Sequence, residues 1–261
     1  MHNNGIPLPQ TGTDAVPAYA APGILVRDLS LRLDKQIVFQ KLNFTVPGSN
    51  IVALLGTSGA GKTSLLRAIA GLTPPASTSG SVTGSDGKPI ADRIAWMGQK
   101  DLLYPWLTID ENITLGARLR GEKADRQWAE HLRERVGLGD YGRARPATLS
   151  GGMRQRAALA RTLYERRPVV LMDEPFSALH TLTRMTIQQL AAEVLAQHTV
   201  LLVTHDPAEA CRPGHRLLVL GRFPSGITQD YRLPGVLPRA ADDAGLLHSQ
   251  GKLLQHISAA G

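Results

Sequence analysis

One cysteine, Cys211, stands in 261 residues. That scarcity excludes an internal disulfide framework and favours a reducing compartment. Long apolar runs are missing too: none approaches the roughly 18 residues that a membrane-crossing helix needs. Positive charge is absent from the amino terminus, with no Lys or Arg before Arg27. That stretch also has no compact apolar segment, so it makes a poor secretory signal. Its Pro, Gly, Asn and Thr content predicts a mobile extension over residues 1–23. A cytoplasmic protein is expected, with any membrane contact made through a partner.

What is present is ordinary in bulk but skewed in charge. Hydrophobic residues make up 43% and charged residues 20%, which suits a globular chain. The length allows one large domain or two lobes sharing a core. Lys plus Arg exceed Asp plus Glu by 29 − 22 = 7, which suits an anionic partner: a nucleotide, a nucleic acid or an anionic membrane face. Basic residues cluster in "RLRGEKADR" and "RERVGLGDYGRAR", either as a solvated face or as a binding patch.

Along the chain, "ILVRDLSLRL", "IVFQKLNFTV" and "IVALL" read as strands separated by polar or Gly/Pro breaks. A glycine-rich turn and the helical pattern "KTSLLRAIAGL" follow. Short strands are expected over 80–97 and helical periodicity over about 108–165, opening on Thr108 as a cap. Strand and helix then alternate through "VVLMD", a helix near 181–197, "TVLLV", "PAEAC" and "RLLVL". Short, almost wholly apolar strands between helices predict a parallel sheet covered on both faces. No internal repeat is present, and the segment after about 222 is too short for a separate regulatory domain.

Three stretches carry chemistry. "GTSGAGKT", Gly56, Thr57, Ser58, Gly59, Ala60, Gly61, Lys62 and Thr63, lies between a strand and a helix and fits G-x-x-x-x-G-K-S/T. Its glycines let backbone N–H groups curl around phosphate oxygens, and the helix start adds positive potential. Lys62 can reach the β- and γ-phosphates, and the Thr63 hydroxyl can ligate magnesium. "VVLMDE" ends a buried strand in two carboxylates, which are costly to bury without partners. Asp173 has the place of the acid that holds Mg2+ in a phosphate-loop ATPase, and Glu174 that of a general base for water. "LSGGMRQRAALARTL" puts Ser150, Gly151 and Gly152 ahead of an amphipathic helix, a second anion site. One nucleotide cannot easily fill both sites of one subunit. A head-to-tail dimer, each "LSGG" closing over the partner's ATP, is the simplest solution.

These motifs resemble those of the ATP-binding cassette (ABC) family over about residues 24–220. The resemblance implies a phosphate-loop NTPase core with a parallel sheet, an N-terminal antiparallel β subdomain and an inserted helical subdomain at about 100–165. The cassette would span 24–221, leaving 222–261 as a C-terminal tail. It also implies two ATPs sandwiched in a homodimer or paired cassette. Gln99 in "MGQKDLL" corresponds to the family's glutamine that senses magnesium and the attacking water. His205 in "LLVTHD" corresponds to the histidine that contacts the γ-phosphate and orients the base. Two positions depart from the family. Leu33 stands where an aromatic residue usually stacks on adenine, with Phe39 as a lesser substitute. His180 replaces the aspartate of "SALD".

The single cassette with a short segment between Gln99 and Ser150 resembles a transporter subunit more than the repair or translation members. The implied partners are transmembrane permease subunits and, indirectly, an extracytoplasmic solute-binding protein, with no nucleic acid. The chain would sit on the cytoplasmic side of the cell membrane through its permease. Leu102, Leu103, Tyr104, Pro105 and Trp106 either receive a permease helix or fill the helical lobe's core. "QKDLLYPWLTIDENITLGARLRG" and "LSGGMRQRAALARTLYERRPVVLMDEPFSALH" look like the nitrate, sulfonate and taurine branch, closest to importers of hydroxymethylpyrimidine, a thiamine precursor. A soluble ABC ATPase and a hydrolysis-impaired nucleotide-binding scaffold stand as alternatives.

Overall fold

The computed structural model describes residues 21–253, apart from positions 35, 236, 241, 242, 244, 248, 249 and 252. Most of the extension expected to be mobile, residues 1–20, lies outside the described residues, as do 254–261. Strands β1 (Ile24–Leu33), β2 (Gln36–Val46) and β3 (Ile51–Leu55) lead into helix α1 (Lys62–Ile69). Strands β4 (Thr78–Gly84) and β5 (Ile94–Met97) follow. Four helices come next: α2 (Ile109–Ile113), α3 (Leu115–Leu119), α4 (Arg126–Arg135) and α5 (Gly151–Tyr164). The chain then alternates through β6 (Val169–Asp173), α6 (Thr181–Val194), β7 (Thr199–Val203), α7 (Pro207–Cys211) and β8 (Arg216–Leu220), and closes on β9 (Ile227–Arg232).

Two sheets result. The smaller is antiparallel in the order β2-β1-β4, and the larger runs β5-β6-β7-β3-β8-β9. All pairs of the larger sheet are parallel except β8–β9. The fold expected from the sequence is therefore present: a parallel sheet, an antiparallel β lobe and an inserted helical segment. One feature differs. Strand β9 adds an antiparallel edge from beyond residue 221.

The all-apolar strands are explained by alternation, since successive side chains of a strand point to opposite faces. In β6, Val170 and Met172 pack with the helical segment, whereas Val169 and Leu171 pack with the antiparallel lobe. In β7 the same division falls between Val200 and Leu202 on one side and Leu201 and Val203 on the other. Every position is buried because both faces are covered. With the parallel order β6-β7-β3, the carboxyl ends of these three strands emerge at one edge of the sheet.

The helical segment is fixed at its entry by the expected cap. The Thr108 side chain accepts from Glu111 N–H, and the Glu111 carboxylate accepts from Thr108 N–H. Asn112 is fully buried; its Nδ2 donates to the carbonyls of Tyr104, Leu107 and Thr108, and its Oδ1 accepts from Tyr104 N–H. One amide thus holds the whole 104–108 turn. Leu103 is in the core, whereas Leu102, Tyr104 and Trp106 are exposed at 59%, 42% and 65%. Tyr104 and Trp106 meet edge to face at 5.2 Å. Most of this apolar cluster therefore faces out.

Candidate active site

The loop after β3 is shaped by two left-handed glycines, Gly59 at φ 80° and Gly61 at φ 90°. A Cβ on Gly61 would come within 2.8 Å of Val38 Cγ1, so that position needs glycine for space as well as for conformation. Lys62 is buried, and its Nζ donates to the carbonyls of Gly56 at 2.9 Å and Thr57 at 3.1 Å. Burial lowers its pKa, and the nearby charges of Glu174 and Asp173 oppose that shift. Ser58, Gly59, Gly61, Lys62 and Thr63 line an open cavity of about 820 Å³, together with Gln99 and Glu174.

The two carboxylates differ in environment. Asp173 is 2% exposed and its Oδ1 has no hydrogen-bond partner. Burial pushes its pKa up, and the Thr63 side chain is the main influence against that rise. An orphaned buried carboxylate oxygen beside a threonine hydroxyl is a donor pair that a hard cation such as magnesium accepts. Among the described residues no group of three or more His, Cys, Asp or Glu is arranged to hold a metal. Such an ion would therefore take its remaining oxygens from phosphate and water.

Glu174 sits just past the strand at φ 48°, an uncommon conformation for a non-glycine residue. Its N–H donates to Val203 O at 2.8 Å, which continues the β6–β7 pairing. Its Oε2 accepts from Gln99 Nε2 at 3.1 Å, and its Oε1 lies 3.1 Å from His205 Nδ1. Residues 75 and 31 positions away in sequence thus meet on one carboxylate. The fold brings together Gln99, Asp173, Glu174, His205 and the phosphate-loop residues.

It does not bring Ser150, Gly151 and Gly152 to that cavity, none of which lines it. Ser150 caps α5, its side chain accepting from Met153 N–H at 3.3 Å. Gly152 packs so closely that a Cβ would lie 3.3 Å from Ala178 O. His180 is the N-cap residue of α6, with no side-chain hydrogen bond to the helix. Neither His180 nor Thr181 supplies a cap there. Leu33 lines the cavity, but Phe39 is buried in the antiparallel lobe and cannot substitute for it. An irregularity in β2 between Phe39 and Leu42, where Lys41 takes φ 50°, breaks the alternation and lets Phe39 face inward with Leu42, Phe44 and Val46.

Some participants escape a reading of motifs. Gln155 donates through Nε2 to Glu174 O at 3.2 Å and accepts from Ala178 N–H through Oε1 at 2.9 Å, so α5 grips the loop after the acid pair. A buried polar residue on the apolar face of a helix is a sequence signal that flags it. Arg161 donates to the carbonyls of Asp101 and Leu102, and Arg154 pairs with Asp101 at 3.0 Å, tying the loop after Gln99 to the same helix. Arg184 bridges Leu179 O, Asp206 and Glu209, joining α6 to the turn that carries His205. Arg222 and Phe223 reach the cavity from the β8–β9 connection, with no local signal at all.

A phosphate-binding loop at the carboxyl edge of a parallel sheet, with an acid pair two strands away, is the arrangement of a nucleotide hydrolase. Comparison with known proteins gives the family. Residues 39–177 match the ABC transporter family. An uncharacterized ABC transporter ATP-binding protein of Haemophilus influenzae is 42% identical, covering 90% of this chain and 98% of that protein. The aliphatic sulfonates import ATP-binding protein SsuB 1 of Paracoccus denitrificans is 39% identical, covering 91% and 97%. The taurine import ATP-binding protein TauB of Jannaschia is 37% identical, covering 81% and 82%. Among solved structures, the dimeric bacterial ABC transporter cassette MJ0796 superposes with a TM-score of 0.70 at 27% identity, covering 82% of this chain and all of that one. A second structure of that cassette is a post-hydrolysis dimer bound to ADP and phosphate. The chain belongs to the ABC transporter family and is an ATP-binding, ATP-hydrolysing subunit.

Proposed function

We propose that this chain powers an importer of sulfonated aliphatic solutes, hydrolysing ATP in a sandwich of two cassettes on the cytoplasmic side of a membrane permease. The observation that carries the catalytic part is the convergence of Gln99 and His205 on Glu174 at the mouth of the phosphate-loop cavity. Backbone N–H groups of residues 56–63 cradle the phosphates, and Lys62 leaves its loop carbonyls to pair with the β- and γ-phosphates. Thr63 and Asp173 would hold a magnesium ion, whose charge would offset that of the transferring phosphoryl group. Glu174 takes a proton from the attacking water, with Gln99 and His205 fixing its carboxylate. Ser150, Gly151 and Gly152 act on the partner's nucleotide, which fits their absence from this chain's own cavity.

The sulfonate reading rests on the named relatives, which are import ATP-binding proteins for aliphatic sulfonates and taurine. They favour it over the hydroxymethylpyrimidine reading drawn from the sequence. The exposed Leu102, Tyr104 and Trp106 support a permease contact, because a core-filling role would have buried them. Residues 24–221 form the cassette in this reading, with the helical lobe at about 100–165. Growth of the host on ethanesulfonate, taurine or neither as sole sulfur source, with the gene deleted and restored, tests the substrate. Normal growth of the deletion strain on both, with lost uptake of hydroxymethylpyrimidine, would reverse the assignment.

A further inference from the structure

The cavity that holds the phosphate loop has two chemically different kinds of lining. One is polar, with Ser58, Gly59, Lys62, Thr63 and Glu174. The other is built from Leu33, Ile37 and Val38 of the β1–β2 hairpin and from Phe223 in the β8–β9 connection. Phe223 is 44% exposed and Leu33 is 41% exposed, so neither is filling the core. Arg222 fixes the connection in place, its Nη2 donating to Ser58 O at 3.0 Å within the phosphate loop itself. The β8 end is also packed against the loop's first residue, where a Cβ on Gly56 would lie 2.5 Å from Leu220 O. Phe223 is thus an exposed ring carried on a segment anchored to the phosphate site.

We infer that Phe223 is the aromatic platform for the nucleotide base, working with the aliphatic wall of Leu33, Ile37 and Val38. This rests on the phosphate-loop reading above. With the phosphates on the polar groups, a purine has the apolar groups of the same cavity to pack against, and among these a flat π-surface is the best-matched partner. A base stacked on an aromatic ring gains dispersion and electrostatic attraction beyond burial alone. The hairpin contributes Leu33, Ile37, Val38 and the Gln36 amide, so among the described lining residues Phe223 is the ring that can carry the stacking.

Equilibrium binding of ATP and of inorganic tripolyphosphate to the full-length protein separates the two readings. Phe223→Ala is expected to weaken ATP binding about five- to tenfold and to leave tripolyphosphate binding unchanged. Phe223→Trp should keep ATP affinity, with its added emission quenched by ATP and not by tripolyphosphate. Lys62→Ala should lose both ligands. ATP affinity of Phe223→Ala equal to wild type, alongside loss in Lys62→Ala, would overturn the platform and leave the phosphate loop standing. Equal weakening toward both ligands would also overturn it, because the segment would then serve the phosphate loop rather than the base. Unchanged binding in Lys62→Ala would instead overturn the phosphate-loop reading. Phe223 is half-exposed, so unfolding is not expected; coincident thermal transitions of the variants check this.

Discussion

Glu174 is held by four features at once: its left-handed backbone, the Val203 carbonyl, the Gln99 amide and the His205 ring. Glu174→Gln keeps the shape and removes the base. Hydrolysis should fall by roughly 10²- to 10⁴-fold while ATP binding persists, and the ATP-bound dimer should accumulate in gel filtration. Near-normal turnover would remove Glu174 from that role. Asp173 supplies a second residue-scale prediction. Its pKa is raised in the folded chain by burial, so ionising it opposes folding. The penalty is absent below the pKa of the unfolded carboxyl, about 3.9, and is complete above the raised folded value. Asp173→Asn should therefore raise the melting temperature of the nucleotide-free protein at neutral pH by about 2–4 °C, the scale of 1 kcal/mol in a domain of this size. It should also abolish magnesium-dependent hydrolysis. A lowered melting temperature would show that the carboxylate is stabilised by its surroundings.

At the scale of elements, α5 and α6 connect the site to its flanks. Helix α5 begins at Ser150 and holds the acid loop through Gln155 and the loop after Gln99 through Arg154 and Arg161. A change at its amino end is therefore felt on both sides of Glu174. Helix α6 begins at His180 without a side-chain cap. Aspartate there would accept backbone N–H groups and place negative charge at a helix start, gaining roughly 1 kcal/mol. It would also stand four residues before Arg184, whose guanidinium ties Leu179 to the turn after His205. His180→Asp is expected to raise basal ATPase several-fold with little change in ATP affinity, and to raise the melting temperature. Identical rates and stabilities would mean that His180 is a neutral replacement.

For the whole molecule, the decisive fact is that the "LSGG" start and the phosphate loop face different surroundings in one chain. Mixing Lys62→Ala chains with Gly152→Asp chains should leave one of the two composite sites with both halves intact. ATPase activity in the mixture, absent from either parent, is the expected result. Activity that is merely the sum of the two parents at every mixing ratio would exclude a shared site.

Much of this was legible before any tertiary contact was known, and for local reasons. Strand-then-glycine-loop-then-helix is written in consecutive residues, because a phosphate cradle uses adjacent backbone N–H groups. The Thr108 cap and the all-apolar strands are local in the same sense, one set by a three-residue spacing and the other by burial on both faces. By contrast, the order β5-β6-β7-β3-β8-β9 is not sequential, and nothing in "RLLVLGRF" announces that its end will touch Ser58. The sequence put Leu33 at the base position with Phe39 as its lesser substitute, and the irregularity of β2 at Lys41 then set Phe39 in the core. The same holds for the 102–106 cluster, whose outward face follows from Asn112 pinning the turn. Sequence by itself determined which groups this protein has for binding phosphate and activating water, since those depend on residue type and short spacing. Only the tertiary structure decided which of them share one carboxylate and which ring lines the phosphate-loop cavity, because parallel strand order and side-chain facing are set by burial across the whole sheet.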